Sequence, residues 1–287
     1  MTATDALAGW LAARLPADAA AWLASGAARL RDGAPDRELF LMTSLLGRKL
    51  GNAQLGLGAA ELATATAIRA GWDPSDWTMD QAARIYLLLV STPDGTELAR
   101  RLDRLCAAAD VGELVAWYRG LPLYPDPPRH AMRAAEGVRS NMRTVFEAVA
   151  HRNPYASEQF AEGAWNQMVL KALFVGARLD LVVGLDARRN PALARMLCDY
   201  AHERWAASRA VSPELWRCVG PFASGTGLDD FRRLLSRGTL PERRAAVLAL
   251  LESSDPAAGG LLKDEASLVA AARANEFHWG TLAAGTT

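Results

Sequence analysis

The residues between positions 151 and 222 have the types and spacing most suited to chemistry in this chain. Aromatic, amide and charged side chains are densely interleaved there. Binding pockets combine aromatic walls with a few polar groups that fix the orientation of a ligand. We therefore predict that ligand-binding residues come from this segment, with no catalytic residue assigned. The candidates are His151, Tyr155, Glu162, Trp165, Asn166, Lys171, Arg204 and Trp216.

A predicted helix over 157–175 has apolar side chains on nearly every side. A helix that is apolar all round is buried, so its polar side chains need partners, and each unpaired one costs about 1–3 kcal/mol. Glu162 and Asn166 are four residues apart, as are Gln167 and Lys171. These two pairs form either a structural network or a set of groups that faces a ligand, and both interpretations stay open.

A second predicted helix, 192–207, places a guanidinium within its apolar face. Helical projection puts Arg204 beside Tyr200 and Trp205. A buried arginine needs a buried anion or backbone carbonyls, so we expect Arg204 to be buried, bonded and at the border of the main cavity. Glu162 and Asp186 are the candidate partners. The role is either a structural ion pair or anion binding.

Metal and cofactor sites are not indicated. Asp199, His202 and Glu203 resemble a metal cluster, but projection places them on a solvated face, and Asp229-Asp230 begins another solvated helix. The three cysteines are far apart and lack metal-ligand spacing, which is typical of small buried residues in a reducing compartment. The sequence contains no GxGxxG after a strand, GxxxxGK[ST], GxSxG, HExxH or DDxxD motif. We predict no metal and no cofactor.

Composition and charge limit the classes of molecule that the protein can be expected to bind. The chain has 32 basic and 32 acidic residues and a formal net charge of zero, whereas a protein that neutralises phosphates is basic. We expect no nucleic-acid partner. No stretch approaches the roughly 18 apolar residues of a membrane span, and the first 15 residues lack the regions of a signal peptide. We expect a cytoplasmic protein with no transmembrane segment.

The elements that must position these residues are all helices. Apolar residues make up 51% of the chain and recur at three-and-four spacing, and no run alternates as a strand does. The sequence therefore predicts an all-α fold. The predicted helices span 5–14, 17–31, 36–50, 54–70, 76–91, 94–108, 111–120, 128–150, 157–175, 192–207, 213–220, 227–237, 241–253 and 260–275.

The proline-rich stretch 124–128 is the most rigid connector and gives a predicted boundary. It separates an N-terminal helical region, 1–125, from a C-terminal region, 126–287, although one continuous domain is the alternative. Residues 227–253 predict two amphipathic helices joined at Gly238 and Pro241, as in one HEAT-like hairpin. No period of about 30 to 50 residues repeats. We therefore predict an irregular array of helical hairpins, with HEAT-like α-solenoid character towards the C-terminus.

Five stretches of the 151–222 segment resemble the EboA family. They read HRNPY at 151–155, AWNQMVLK at 164–171, GLD at 184–186, ARMLCDYAHERW at 194–205 and SPELWRCVGPF at 212–222. The resemblance implies that the protein is encoded in a bacterial gene cluster linked to the traffic of secondary-metabolite precursors from cytoplasm to periplasm. Another product of such clusters resembles a membrane prenyltransferase. The resemblance implies no reaction and no catalytic residue.

Two classes of function follow. The first is a cytoplasmic helical adaptor or metabolite-binding protein of that pathway, whose partner is a small-molecule metabolite or another pathway protein, such as the membrane prenyltransferase. The second is an enzyme that acts on a metabolite or isoprenoid-linked intermediate, with its pocket in 151–222. The lack of paired catalytic groups favours the first.

Overall fold

The structure is a computed structural model that describes residues 1–284. Over this range it contains 18 α-helices and no strand, and 72% of it is helical. One isolated antiparallel bridge joins Gln54 and Thr78. The predicted all-α fold is confirmed. The chain forms two compact units, Met1–Ala161 and Glu162–Thr287.

The first unit contains ten helices, and α5 lies at its centre. These are α1 Ala3–Ala12, α2 Ala17–Arg31, α3 Asp36–Leu50, α4 Ala59–Ile68, α5 Met79–Ser91, α6 Gly95–Ala108, α7 Val111–Arg119, α8 Ala131–Arg139, α9 Arg143–Ala150 and α10 Tyr155–Gln159. Helix α5 contacts α1, α2, α3, α6 and α7. Because Ile85, Leu87 and Leu88 point to different sides of α5 and are all fully buried, this helix is the core of the unit.

The prediction of one continuous helix over 128–150 is wrong, because the helical conformation is interrupted between α8 and α9. Ser140 has an extended backbone, and its hydroxyl accepts a hydrogen bond from the Met142 backbone N–H at 3.1 Å. Such a local bond competes with helix continuation. The predicted helix 54–70 also begins only at Ala59, because Gln54 is in the bridge.

The proline-rich stretch 124–128 lies inside the first unit. The Tyr155 hydroxyl donates to the Pro127 carbonyl at 2.6 Å, and His130 Nε2 lies 3.0 Å from the Pro125 carbonyl. The Asn153 amide donates to carbonyls on both α7 and α9. These bonds tie the chain after the prolines to the first unit. The compact units therefore divide at Ala161, well after the predicted boundary.

The second unit contains eight described helices, and α15 lies at its centre. These are α11 Glu162–Phe174, α12 Pro191–Ala206, α13 Trp216–Val219, α14 Leu228–Arg237, α15 Leu240–Leu251, α16 Pro256–Leu261, α17 Ala266–Arg273 and α18 Trp279–Ala284. Helix α15 contacts α13, α14, α16, α17 and α18. Its buried face consists mostly of alanine, which lets the neighbouring helices approach closely. The predicted helix 260–275 is wrong in extent, since α16 and α17 are separate.

The hairpin predicted at 227–253 is present as α14 and α15. Thr239 lies between the two helices, and its backbone N–H donates to the Glu242 carboxylate at 2.7 Å, which caps α15. The two helices pack against each other. HEAT-like character beyond this hairpin stays a prediction.

The prediction of a single helix over 157–175 that is buried on all sides is wrong. Phe160 and Ala161 lie between α10 and α11, and α11 has one buried and one exposed face. Phe174 is 77% exposed. Glu162 and Gln167 are exposed as well, so Asn166 is the one fully buried member of the two polar pairs.

Replacement of Gly220 by alanine should destabilise the second unit. A Cβ at Gly220 would lie 2.4 Å from the Ala249 carbonyl oxygen on α15 and 2.7 Å from its Cα. The backbone would have to move, and such overpacking costs about 1–3 kcal/mol. Urea denaturation should show this loss for Gly220→Ala. Gly259→Ala, where the added Cβ meets nothing within 4 Å, should show no comparable loss; equal effects would contradict the prediction.

Candidate functional site

Two of the predicted ligand-binding residues lie in the first unit. Tyr155 is fully buried, its hydroxyl is bonded to Pro127, and its ring meets the edge of Phe160 at 6.5 Å between centroids. Burial raises the pKa of Tyr155. His151 is partly buried at the end of α9. The contacts of Tyr155 are therefore those of a residue in the packed interior of the first unit.

Asn166 joins α11 to the start of α12. Its amide and that of Asn190 are bonded reciprocally, at 3.2 and 2.9 Å. Asn190 also caps α12 by accepting from the Leu193 backbone N–H at 2.8 Å. Both amide oxygens and both NH₂ groups of the pair therefore have partners. This arrangement matches the structural network that the sequence left open.

The other candidates on α11 differ in burial. Trp165 is fully buried, and the Arg188 guanidinium lies 4.8 Å from its ring centroid, a cation–π contact. Lys171 is partly exposed, and burial lowers its pKa. Glu162 is exposed.

Arg204 is bonded to a carbonyl, as predicted, but it is only partly buried. Its Nε and Nη2 both donate to the Ala210 carbonyl, at 3.0 and 2.8 Å. The proposed acidic partners are wrong, because Asp186 pairs with Arg217 at 2.7 Å and Glu162 makes no ion pair with Arg204. Arg204 lies near the end of α12, where carbonyls beyond the helix are within reach.

Arg204 lines a cavity of about 280 Å³, but a larger cleft lies elsewhere, so the prediction that it borders the main cavity is wrong. The cavity also contains Glu214, which is 3% exposed, and Arg178, which pairs with Asp180 at 2.6 Å. Burial raises the pKa of Glu214, although two backbone N–H groups hold its carboxylate. The complete lining is Leu173, Gly176, Ala177, Arg178, Tyr200, Arg204, Ala210, Val211, Ser212, Pro213, Glu214 and Ala283.

A larger cleft of about 550 Å³ opens on the other side of α12. We call it the α12–α14 cleft, after the two helices that bear its charged groups. Apolar side chains of α12, α13 and the segment after α13 form part of its wall. The complete lining is Pro191, Ala194, Arg195, Cys198, Asp199, His202, Val219, Phe222, Ala223, Thr226, Gly227, Asp229 and Asp230.

A histidine–aspartate pair spans this cleft. His202 Nε2 lies 2.8 Å from Oδ1 and 3.0 Å from Oδ2 of Asp230. A carboxylate only accepts, so Nε2 bears the hydrogen, and in the neutral tautomer of the ring Nδ1 is an acceptor. The pair can therefore accept a hydrogen bond or a proton from a bound molecule.

Aromatic rings pack against His202 and support its position in the cleft. The His202 ring lies 5.8 Å from the Trp205 ring, which stacks on Trp216 at 5.6 Å between centroids. The Arg233 guanidinium lies 4.2 Å from the Trp205 centroid, and Trp216 also meets the edge of Phe231. Trp216, predicted as a ligand-binding residue, is fully buried and supports the residues that reach the cleft.

The thiol in the cleft is not activated. Burial, together with the charges of Asp230 and Asp199, raises the pKa of Cys198 to about 12. A nucleophilic cysteine needs a lowered pKa. Among residues 1–284, no group of three or more His, Cys, Asp or Glu side chains is arranged to hold a metal ion.

Alkylation should reveal this protonated thiol. With a pKa near 12, only about one Cys198 in ten thousand is ionised at pH 8, against about a quarter of free cysteine. Iodoacetamide should therefore label Cys198 at least about 100-fold more slowly than free cysteine at pH 8, and faster as the pH rises. Mass spectrometry of the labelled peptide measures this rate, and a rate like that of free cysteine would refute the raised pKa.

The sequence did not reveal the pairing across the cleft. Helical projection assigns His202 and Asp230 to solvated faces, and His202 is indeed exposed. Their contact joins residues 28 positions apart, so no local pattern indicates it. The available signal was the stripe of polar or titratable residues at 195, 198, 199 and 202, which share one face of α12.

Comparison with known proteins gives a family. The family model described as metabolite traffic protein EboA matches residues 3–220. The match covers α12 and α13 but ends before the part of the cleft formed by Phe222 to Asp230. No curated protein and no solved structure matches the chain. Within the described residues, every helix is too short or too polar to cross a bilayer. Because the family model covers more than half of the sequence, the chain belongs to the EboA family of metabolite traffic proteins.

Proposed function

We propose that this protein is a non-enzymatic carrier that binds a small-molecule metabolite in the α12–α14 cleft. The observation that supports this most is the cleft itself, about 550 Å³ in volume. Ligand pockets generally measure about 300–1,000 Å³ and combine apolar walls with a few polar groups. The family description, metabolite traffic protein, agrees with a binding role.

The lining favours a ligand with both apolar and polar parts. Val219, Phe222 and Ala223 offer apolar contact, while Arg195 and the His202–Asp230 pair offer hydrogen bonds and charge. Apolar burial stabilises a complex by about 25 cal/mol per Å², and the polar groups set its orientation.

The pathway context of this proposal is that of the family resemblance. The protein works in the cytoplasm of a bacterium, as part of secondary metabolism, without a cofactor. It passes its ligand to another pathway protein, such as a membrane prenyltransferase. Of the candidate residues of 151–222, Trp165 and Trp216 serve as packing residues in the unit that contains the cleft.

An enzyme is the second candidate, and the His202–Asp230 pair favours it. A carboxylate that holds Nε2–H leaves Nδ1 able to act as a general base. Against this, the nearby thiol is protonated and the cleft offers no activated nucleophile. The two functions differ in what His202→Gln removes: in a carrier it weakens ligand binding and neither protein forms a product, whereas in a general-base enzyme it abolishes the product that the wild type forms.

A cleft-blocking variant tests the proposed binding. Thr226 lines the cleft and is exposed, so Thr226→Trp should fill the entrance without disturbing the core. After incubation with a small-molecule cell extract, native mass spectrometry should show a bound ligand in the wild type and at least about tenfold lower occupancy in the variant. Ala270→Trp, on the exposed face of α17, should bind as the wild type does. Equal occupancy in all three proteins would contradict the proposal.

A further inference from the structure

We infer that the cavity around Glu214 is a second binding site, for a small carboxylic acid with a neighbouring hydroxyl or amino group. Its volume of about 280 Å³ lies just below the range of drug-sized pockets, which limits the ligand to a small molecule. This inference is independent of the proposed function, because the residues used here do not line the α12–α14 cleft.

Glu214 is a buried carboxyl group with one oxygen in use. Oε1 accepts hydrogen bonds from the backbone N–H groups of Leu179 and Asp180, at 3.0 and 2.8 Å. Oε2 makes no hydrogen bond to any residue that the structure describes, whereas Oε1 accepts both of these bonds. Glu214 is only 3% exposed and lines the cavity, so a partner for Oε2 from outside the chain would have to lie in the cavity.

A structural role would require only the bonded oxygen. Buried polar atoms are hydrogen-bonded with few exceptions, and burial of a carboxyl group is costly. A neutral amide would satisfy the same two backbone N–H groups without that cost. The second oxygen of Glu214 is therefore suited to accept a hydrogen bond from a ligand donor.

Arg204 supplies the opposite charge. Within the described part of the chain, both hydrogen bonds of Arg204 go to the Ala210 carbonyl, which is neutral, and its positive charge has no acidic partner there. Arg178 differs, because Asp180 neutralises it. The Arg204 guanidinium still has unused N–H groups, which match the geometry of a carboxylate.

These two groups define the ligand class together. Arg204 selects an anionic group, and Glu214 Oε2 selects a donor in the same small cavity. The Tyr200 side chain and Ser212 also line the cavity. Hydroxy acids and amino acids have both groups on adjacent carbons, whereas a simple carboxylate or a simple alcohol has only one.

Saturation-transfer NMR on the full chain tests this inference. The probes are L-lactate and L-serine, with acetate and glycerol as matched compounds that have only the anion or only the hydroxyl donors. We expect L-lactate or L-serine to bind at least about tenfold more tightly than acetate and glycerol, as one charge-assisted hydrogen bond predicts. No binding up to tens of millimolar, or equal binding of all four, would overturn the inference.

Variants assign the binding to the cavity. Arg204→Met and Glu214→Gln should each weaken the bound probe at least about tenfold, while Arg209→Met, a nearby exposed position outside the cavity lining, should not. Thermal denaturation verifies that each variant is folded. Unchanged affinity in folded Arg204→Met and Glu214→Gln would overturn the inference. The cleft variant Thr226→Trp should keep this binding, so that failure of one site does not imply failure of the other.

Discussion

Trp216→Ala should lower the free energy of unfolding of the second unit by about 3–5 kcal/mol, the largest effect that we expect from one substitution. Trp216 is fully buried, stacks on Trp205 and meets the edge of Phe231. Truncation of a buried tryptophan removes its apolar contacts and leaves a cavity that the neighbours fill only in part. Because Trp205 contacts His202, the histidine at the cleft should also lose its support.

Guanidinium denaturation followed by circular dichroism measures this loss. Phe174→Ala is the matched control, because Phe174 is a large aromatic residue of the same unit but is 77% exposed. Exposed substitutions usually change stability by less than about 0.5 kcal/mol. A Trp216→Ala protein as stable as Phe174→Ala would contradict the packing described for α12, α13 and α14.

The second large effect is expected at Glu214. Its Oε1 is the acceptor for the backbone N–H groups of Leu179 and Asp180. Glu214→Ala leaves both groups without that acceptor, and each buried unsatisfied donor costs about 1–3 kcal/mol. We expect a loss of about 2–4 kcal/mol in urea denaturation. Glu214→Gln, which keeps a carbonyl oxygen at this place, should not show this loss.

The difference in stability between Glu214→Gln and the wild type should depend on pH. Burial raises the pKa of Glu214 in the folded state, so folding favours its protonated form. The stabilisation from this proton is present below the unfolded pKa and is lost as the pH rises through the folded pKa. Relative to wild type, Glu214→Gln should therefore gain stability as the pH rises above about 4, the ordinary range of a glutamate pKa. A difference that stays constant with pH would contradict the raised pKa.

The helices that the sequence predicted well have strong local signals. The predicted helices 17–31 and 36–50 agree with α2 and α3 to the residue. Pro16 and Pro35 precede these helices, and Gly51 follows α3 with a positive φ. Proline before a helix and glycine after it mark its ends without help from tertiary contacts.

The break between α8 and α9 shows where local signals fail. Residues 128–150 have helical periodicity throughout, and the serine turn at Ser140 interrupts it without a proline or a glycine. Tertiary packing of both helices then stabilises the break, since α8 and α9 contact each other. Periodicity reports the buried face of each helix, but it does not report a change of direction between two helices.

The candidate site was predictable only in part. The hydrogen bonds from Arg204 to a carbonyl oxygen could be predicted, because a guanidinium beside apolar residues needs acceptors. Its partner, Ala210, lies beyond the end of α12, outside any helical projection. The His202–Asp230 pair depends on how α12 and α14 pack, and sequence spacing gives no information about that packing.

A crystal structure of the protein with the molecule that it retains from a cell extract tests the proposed function most directly. We expect the molecule in the α12–α14 cleft, with a polar group within hydrogen-bond distance of His202 or Asp230 and an apolar part against Phe222. We also expect the chemical structure of the molecule to be the same before binding and after release. A molecule bound elsewhere, or one that the protein has converted to a product, would contradict the carrier function.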